Sequence, residues 1–107
     1  MVSFDEFKKI ELKIAKILKA EDIPGKDKLV KLEIDVGEEN SRTLVAGLKP
    51  AYSAEELVGK TIVVVANLEP ATIAGIESNG MLLAADSESG AIILSVDKDA
   101  EPGTSIM

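Results

Sequence analysis

Residues 30–36 read Val-Lys-Leu-Glu-Ile-Asp-Val, so apolar and charged side chains alternate here without a break. Side chains along a strand point to opposite faces in turn, which makes this segment a half-buried antiparallel strand. Its neighbours read in the same way. Glu11–Glu21 is a long strand in which Leu12 and Ile14 alternate with charges, until the apolar parity breaks at Ile17–Leu18 as it would at a bulge or bend. Ile23–Lys28, with Pro24 and Gly25, is a loop. Gly37–Ser41 is a polar turn, Arg42–Leu48 a third strand, and Lys60–Leu68 a valine-rich strand with apolar residues on both faces. Glu69–Gly80, holding Pro70, Gly75 and Gly80, reads as a long loop. Met81–Ala85 and Ile92–Val96 are further strands joined by a turn at Asp86–Gly90, and Asp97–Met107 is a tail with a turn at Pro102–Gly103.

Two capping boxes interrupt the strands. Ser3 with Glu6 opens a short helix that runs to about Lys9, with Phe4 and Phe7 on one face. Ser53 with Glu56 opens a second, which Gly59 closes. Strands surrounding a middle helix predict an all-β chain, a single domain over 1–107, built as a five-stranded Greek-key barrel with extra C-terminal strands. The pattern alone fits such a barrel and a generic β-sandwich equally.

Composition narrows the chemistry. The chain has no cysteine and no histidine, which excludes disulfides, thiolate metal sites, histidine ligands and the commonest general base. Glu69 and Glu77 have no pattern that would make them a hydrolytic pair. No cofactor, metal or small-molecule substrate is expected. The longest apolar runs are too short to span a bilayer, and Met1–Lys9 does not read as a signal peptide, so a cytoplasmic setting is expected. The net charge of −7 argues against nucleic acid. However, Met1–Lys49 holds ten basic and ten acidic residues, and the excess acid lies wholly in Pro50–Met107. A basic face built from the first half remains open.

Several segments, in order, carry a resemblance: Ile10-Glu-Leu-Lys-Ile-Ala-Lys-Ile17, Ile23-Pro-Gly-Lys-Asp-Lys-Leu29, Leu44-Val-Ala-Gly47, Tyr52-Ser-Ala-Glu-Glu-Leu-Val-Gly-Lys60, Val64-Val-Ala-Asn-Leu68, and Gly75-Ile-Glu-Ser-Asn-Gly-Met-Leu-Leu-Ala-Ala85. Together they resemble the tRNA-binding domain family, whose members include the C-terminal domain or β subunit of methionyl-tRNA synthetase and an export-related chaperone. The match runs from roughly Ser3 to Gly103, with the archaeal synthetase-associated members most similar. The resemblance implies an OB-fold barrel that binds the outside of tRNA without chemistry. It also implies a homodimer, and a methionyl-tRNA synthetase catalytic chain as partner.

Candidate contacts follow. Lys26 and Lys28 lie in the first loop, where OB barrels grip oligonucleotides; without the resemblance they read as solvated loop lysines. Lys13, Lys16 and Arg42 are strand cations that either meet phosphates or serve solubility. Lys13 and Lys16 face oppositely in a regular strand, and the parity break is expected to bring both outward. Ser78 and Met81 fall on a Glu-Ser-x-Gly-Met motif that the resemblance places beside tRNA, with Ser78 expected at the surface. Phe4 and Phe7 are either core or a dimer contact. Only three aromatics are present, none on a predicted barrel strand, so the expected ligand is folded RNA read by shape and backbone. Ala71–Ala74 is neutral where members of the resembled family tend to carry basic residues. The rival expectation is therefore a dimerisation or chaperone-like interaction domain with weak or lost tRNA binding.

Overall fold

The computed structural model describes all residues, Met1–Met107. Strands β1 (Leu12–Ile23), β2 (Lys26–Asp35) and β3 (Arg42–Ala46) form an antiparallel meander. Strand β4 (Thr61–Val65) returns to pair with the first half of β1, and β7 (Met81–Leu82) pairs with β4. The sheet order β3-β2-β1-β4-β7 curls into a nearly closed five-stranded barrel. β1 makes this possible by serving two partners: Leu12–Lys16 pairs with β4, and Lys16–Ile23 with β2.

The expected alternation holds. Val30, Leu32 and Ile34 are fully buried and meet Leu44, Ala46, Ile17, Ile62 and Val64 in the barrel core. Helix α2 (Ala54–Leu57) carries the expected capping box and drives Leu57 into the same core. Helix α1 (Phe4–Phe7) is capped by Ser3, whose hydroxyl accepts the Glu6 N–H, but it buries no residue.

The structure differs from the sequence reading in three places. The first loop is only a turn at Pro24–Gly25, because Gly25 takes φ 77° and lets β1 and β2 run on to Ile23 and Lys26. The supposed long loop contains a hairpin, β5 (Ala71–Ile73) and β6 (Ile76–Ser78). Its turn residues Ala74 and Gly75 both have positive φ, 53° and 78°. That is a mirror-image turn usually marked by Asn-Gly or Asp-Gly, and the alanine conceals it. The late strands shift as well, to β8 (Ala84–Ser87) and β9 (Gly90–Ile93), which form a separate hairpin held by Ile93 N–H donating to the Tyr52 hydroxyl at 3.0 Å.

The C-terminal tail becomes a strap. Gly103, Thr104 and Ile106 bond to Ile14 and Leu12, covering the edge of β1 that β2 leaves free. No helix is long and apolar enough to cross a membrane.

Candidate nucleic-acid interface

The barrel closes between β3 and β7 through Ser78, Asn79 and Gly80. Val45 N–H donates to the Ser78 hydroxyl at 3.1 Å, that hydroxyl donates to the Gly80 carbonyl at 3.2 Å, and Asn79 N–H donates to the Thr43 carbonyl at 2.8 Å. Gly80 has φ 109°, and a Cβ there would lie 2.8 Å from the Val65 carbonyl oxygen. Only glycine allows this close crossing. Ser78 is 2% exposed, which corrects the expectation of a surface serine. It acts by holding the chain, and its hydroxyl has no free face for a ligand. Met81 follows at the start of β7, half-buried, paired with Val65 and packed on the core.

These bonds also orient the hairpin. Stepping back from Asn79 to Ser78 advances along β3 from Thr43 to Val45, so β5 and β6 lead toward the Ala46 end. At that end Lys49 N–H donates to the Lys28 carbonyl at 3.2 Å. The β5–β6 hairpin, uncharged over Ala71–Ala74 and acidic at Glu77, and the β1–β2 turn therefore flank the same end of the barrel. Val45 pairs with Lys31 on the outer face yet is 1% exposed, as expected if the hairpin covers it.

The candidate cations do not share one place. Lys26 and Lys28 stand exposed at the β1–β2 turn with no ion pair, beside Lys49, which is held 2.8 Å from Asp22. Arg42 pairs with Ile34, six residues along β2 from Lys28, or about 20 Å away at roughly 3.3 Å per residue. It shares the inner face with Ile34 and plugs the other mouth of the barrel. Its Nε and Nη2 donate to the Glu38 carboxylate at 2.7 and 2.6 Å, and its Nη1 to the Ala66 carbonyl at 2.6 Å. This hydrogen bonding holds the Glu38 carboxyl below its ordinary range and raises the Arg42 guanidinium. Each of the three Arg42 guanidinium nitrogens thus already donates within the fold.

Lys13 and Lys16 remain on opposite faces, because the register slips only beyond Ile17. Lys13 pairs with Val64 and is half-buried on the inner side. Lys16 pairs with Thr61 and Asp35 on the outer wall. That wall is a charge ladder in which Lys16 faces Asp35, Lys19 faces Glu33 at 3.8 Å, and Glu21 faces Lys31. Opposite charges directly across a sheet stabilise one another, and they leave the wall without excess positive charge. Local pattern does not reveal this cancellation, since the oppositely charged partners lie 10 to 19 positions apart along the chain.

Phe4 and Phe7 are exposed, 72% and 43%, with Val2 and Ile10 beside them. Phe4, Phe7 and Ile10, with Leu12 and Ile106, line a groove of about 400 Å³ between α1 and the strap. Asn67, to which the sequence pattern assigns no contact, ties this region to the barrel. Its Oδ1 accepts the Glu11 N–H at 2.8 Å and its Nδ2 donates to the Lys9 carbonyl at 2.6 Å.

Residues 12–105 match the family model described as "Putative tRNA binding domain". The chain is 50% identical over 105 residues to a methionine–tRNA ligase of Methanocella arvoryzae, covering 98% of this chain but 15% of that protein. The fold is similar to that of a MetRS related protein from Pyrococcus horikoshii, with TM-score 0.91, 36% identity, and coverage of 100% of this chain and 98% of the other. It is equally similar to the CsaA chaperone protein from Picrophilus torridus, with TM-score 0.92, 29% identity and full coverage of both chains. A barrel of this topology, matched along nearly its whole length, makes this chain a member of the tRNA-binding domain family.

Proposed function

We propose that this single domain binds tRNA without catalysing a reaction, and that it works in the cytoplasm beside a methionyl-tRNA synthetase catalytic chain. The extensive likeness to methionine–tRNA ligases supports the partner. The observation that carries the contact is the pair of exposed, unpaired lysines, Lys26 and Lys28, at the barrel end flanked by the β5–β6 hairpin. Phosphates meet these lysines, with Lys16 on the outer wall a weaker contact because Asp35 faces it across the strands. Lys13, Arg42 and Ser78 hold the barrel that presents them, and Met81 borders the site at its half-buried position. A module of this kind raises the local tRNA concentration beside an active site even when its own affinity is weak. A gel shift with total tRNA at low salt tests the reading; a retarded complex that ignores anticodon identity is expected, and no complex would sink it.

The chain also acts as a homodimer through Phe4 and Phe7. Helix α1 has acids in its first turn, Asp5 and Glu6, and Lys8 and Lys9 follow it. Two such helices packed antiparallel about a two-fold axis set the acids of one copy against the lysines of the other while covering both apolar stripes. Sedimentation equilibrium should give twice the 11.3 kDa chain mass at micromolar concentration, and a monomer would contradict this.

A second reading has its own support. The outer-wall ladder is electrically balanced and the fold is shared with a chaperone, as suits an interaction domain with little tRNA affinity. The same gel shift decides between them.

A further inference from the structure

We infer that Asn67 is the residue that sets the angle of helix α1 on the barrel, and thereby positions the surface with which a second copy of this chain associates. The second half of the statement rests on the dimer proposed above.

Helix α1 has four residues and no buried side chain. An isolated helix this short does not hold itself together in water, and its rings stay too exposed, Phe4 at 72% and Phe7 at 43%, for burial alone to fix its direction. It nonetheless belongs to a continuous hydrogen-bonded unit. Phe7 N–H donates to Ser3, Lys8 to Phe4, Lys9 to Glu6 and Ile10 to Phe7, so Ser3–Ile10 turns as one body. That body joins the barrel where Lys9–Glu11 meets the end of β4. Ala66 N–H donates to the Glu11 carbonyl at 2.7 Å, which pins one point and leaves rotation free. The Asn67 amide supplies two further points, accepting from Glu11 N–H and donating to the Lys9 carbonyl, and so resists rotation.

The chemistry requires an amide. One donor and one acceptor on a planar group read a carbonyl and an N–H two residues apart. A carboxylate keeps the acceptor but turns the donor into a second acceptor facing the Lys9 carbonyl, and leucine offers neither. The clamp sits away from the exposed rings of Phe4 and Phe7 in sequence and bonds only to backbone, so it acts through α1 and does not itself line the apolar stripe.

The full chain carrying Asn67→Ala, with Asn67→Asp as the partial variant, tests this. Order in α1 is read from backbone amide relaxation of Phe4–Ile10 by NMR in dilute solution, and association from sedimentation equilibrium. Asn67→Ala should raise the mobility of Phe4–Ile10 to that of a frayed terminus and weaken association at least tenfold, with Asn67→Asp in between. The amide signals of Val30, Leu32 and Leu44 should not move, which separates loss of the clamp from loss of the fold. If Phe4–Ile10 stays as rigid as in the parent chain, Asn67 does not position the helix and the inference is overturned. If the helix loosens but association is unchanged, or the parent is monomeric, α1 is not the dimer surface. In that case the reading of a dimer through α1 falls while the clamp on α1 stands.

Discussion

Ser78 has a hydroxyl that both accepts and donates inside the barrel wall. Ser78→Ala would leave the Val45 N–H and the Gly80 carbonyl without that partner in a site with 2% exposure. An unmet buried polar group costs about 1–3 kcal/mol, so thermal or urea unfolding should show a loss of that size. Weaker tRNA binding in that variant would follow from a loosened seam, and an unchanged unfolding midpoint would contradict this account. The Arg42–Glu38 pair makes a prediction in pH. Hydrogen bonding from Arg42 holds the Glu38 carboxyl below its ordinary value. A carboxyl depressed on folding adds stability that is present above its unfolded value and lost as pH falls through the folded one. Stability should therefore decline as pH falls through the ordinary carboxylate range and on to the lower folded value of Glu38, and Glu38→Gln should flatten that acid limb. The change is small, since the Glu38 side chain is 42% exposed and solvent screens the pair. An acid limb that survives Glu38→Gln unaltered would show that other carboxyls set it.

Among the elements, the β5–β6 hairpin is the most informative. It carries Ala71 and Thr72 exposed and without charge, at the barrel end that also holds Lys28. If RNA lies across that end, Ala71→Arg with Thr72→Lys adds two cations along its path, and because position 72 faces Glu77 across the hairpin the Ala71→Arg charge contributes most. Each new phosphate contact should strengthen binding and steepen the logarithmic salt dependence by a little under one unit. The exposed positions tolerate the change because no buried partner is lost. Lys28→Ala should weaken the same complex with little effect on stability. If the double substitution leaves affinity and salt dependence unaltered at low salt, RNA does not approach the hairpin.

For the whole molecule, electrostatics sets the scale of binding. The net charge is −7, and the outer wall of β1 and β2 cancels its own lysines. Only a few cations are left to displace counterions, so about three or four phosphate contacts per subunit give a logarithmic salt slope of roughly −2 to −4. Titrating tRNA binding against salt measures it. A flat response would contradict a backbone-reading mechanism, and a much steeper one would require cations that the ladder holds in pairs.

The one-dimensional pattern sufficed for whatever local physics decides. Alternation at Val30–Val36, the N-cap at Ser3, the capping box at Ser53, and the middle helix ahead of β4 are each settled within a few residues. Family membership was legible too, because its segments recur in order. Tertiary structure alone decided which charges are free. Lys19 and Glu33, or Arg42 and the Ala66 carbonyl, meet only once β1 and β2 pair and the barrel closes. Ser78 looked like a surface residue because burial depends on the strand that arrives opposite, here β3. The β5–β6 hairpin was hidden because Ala74 accepts a positive φ that its side chain does not advertise. Asn67 gained its role from Lys9 and Glu11, more than fifty residues earlier, which the closed fold brings within hydrogen-bond reach.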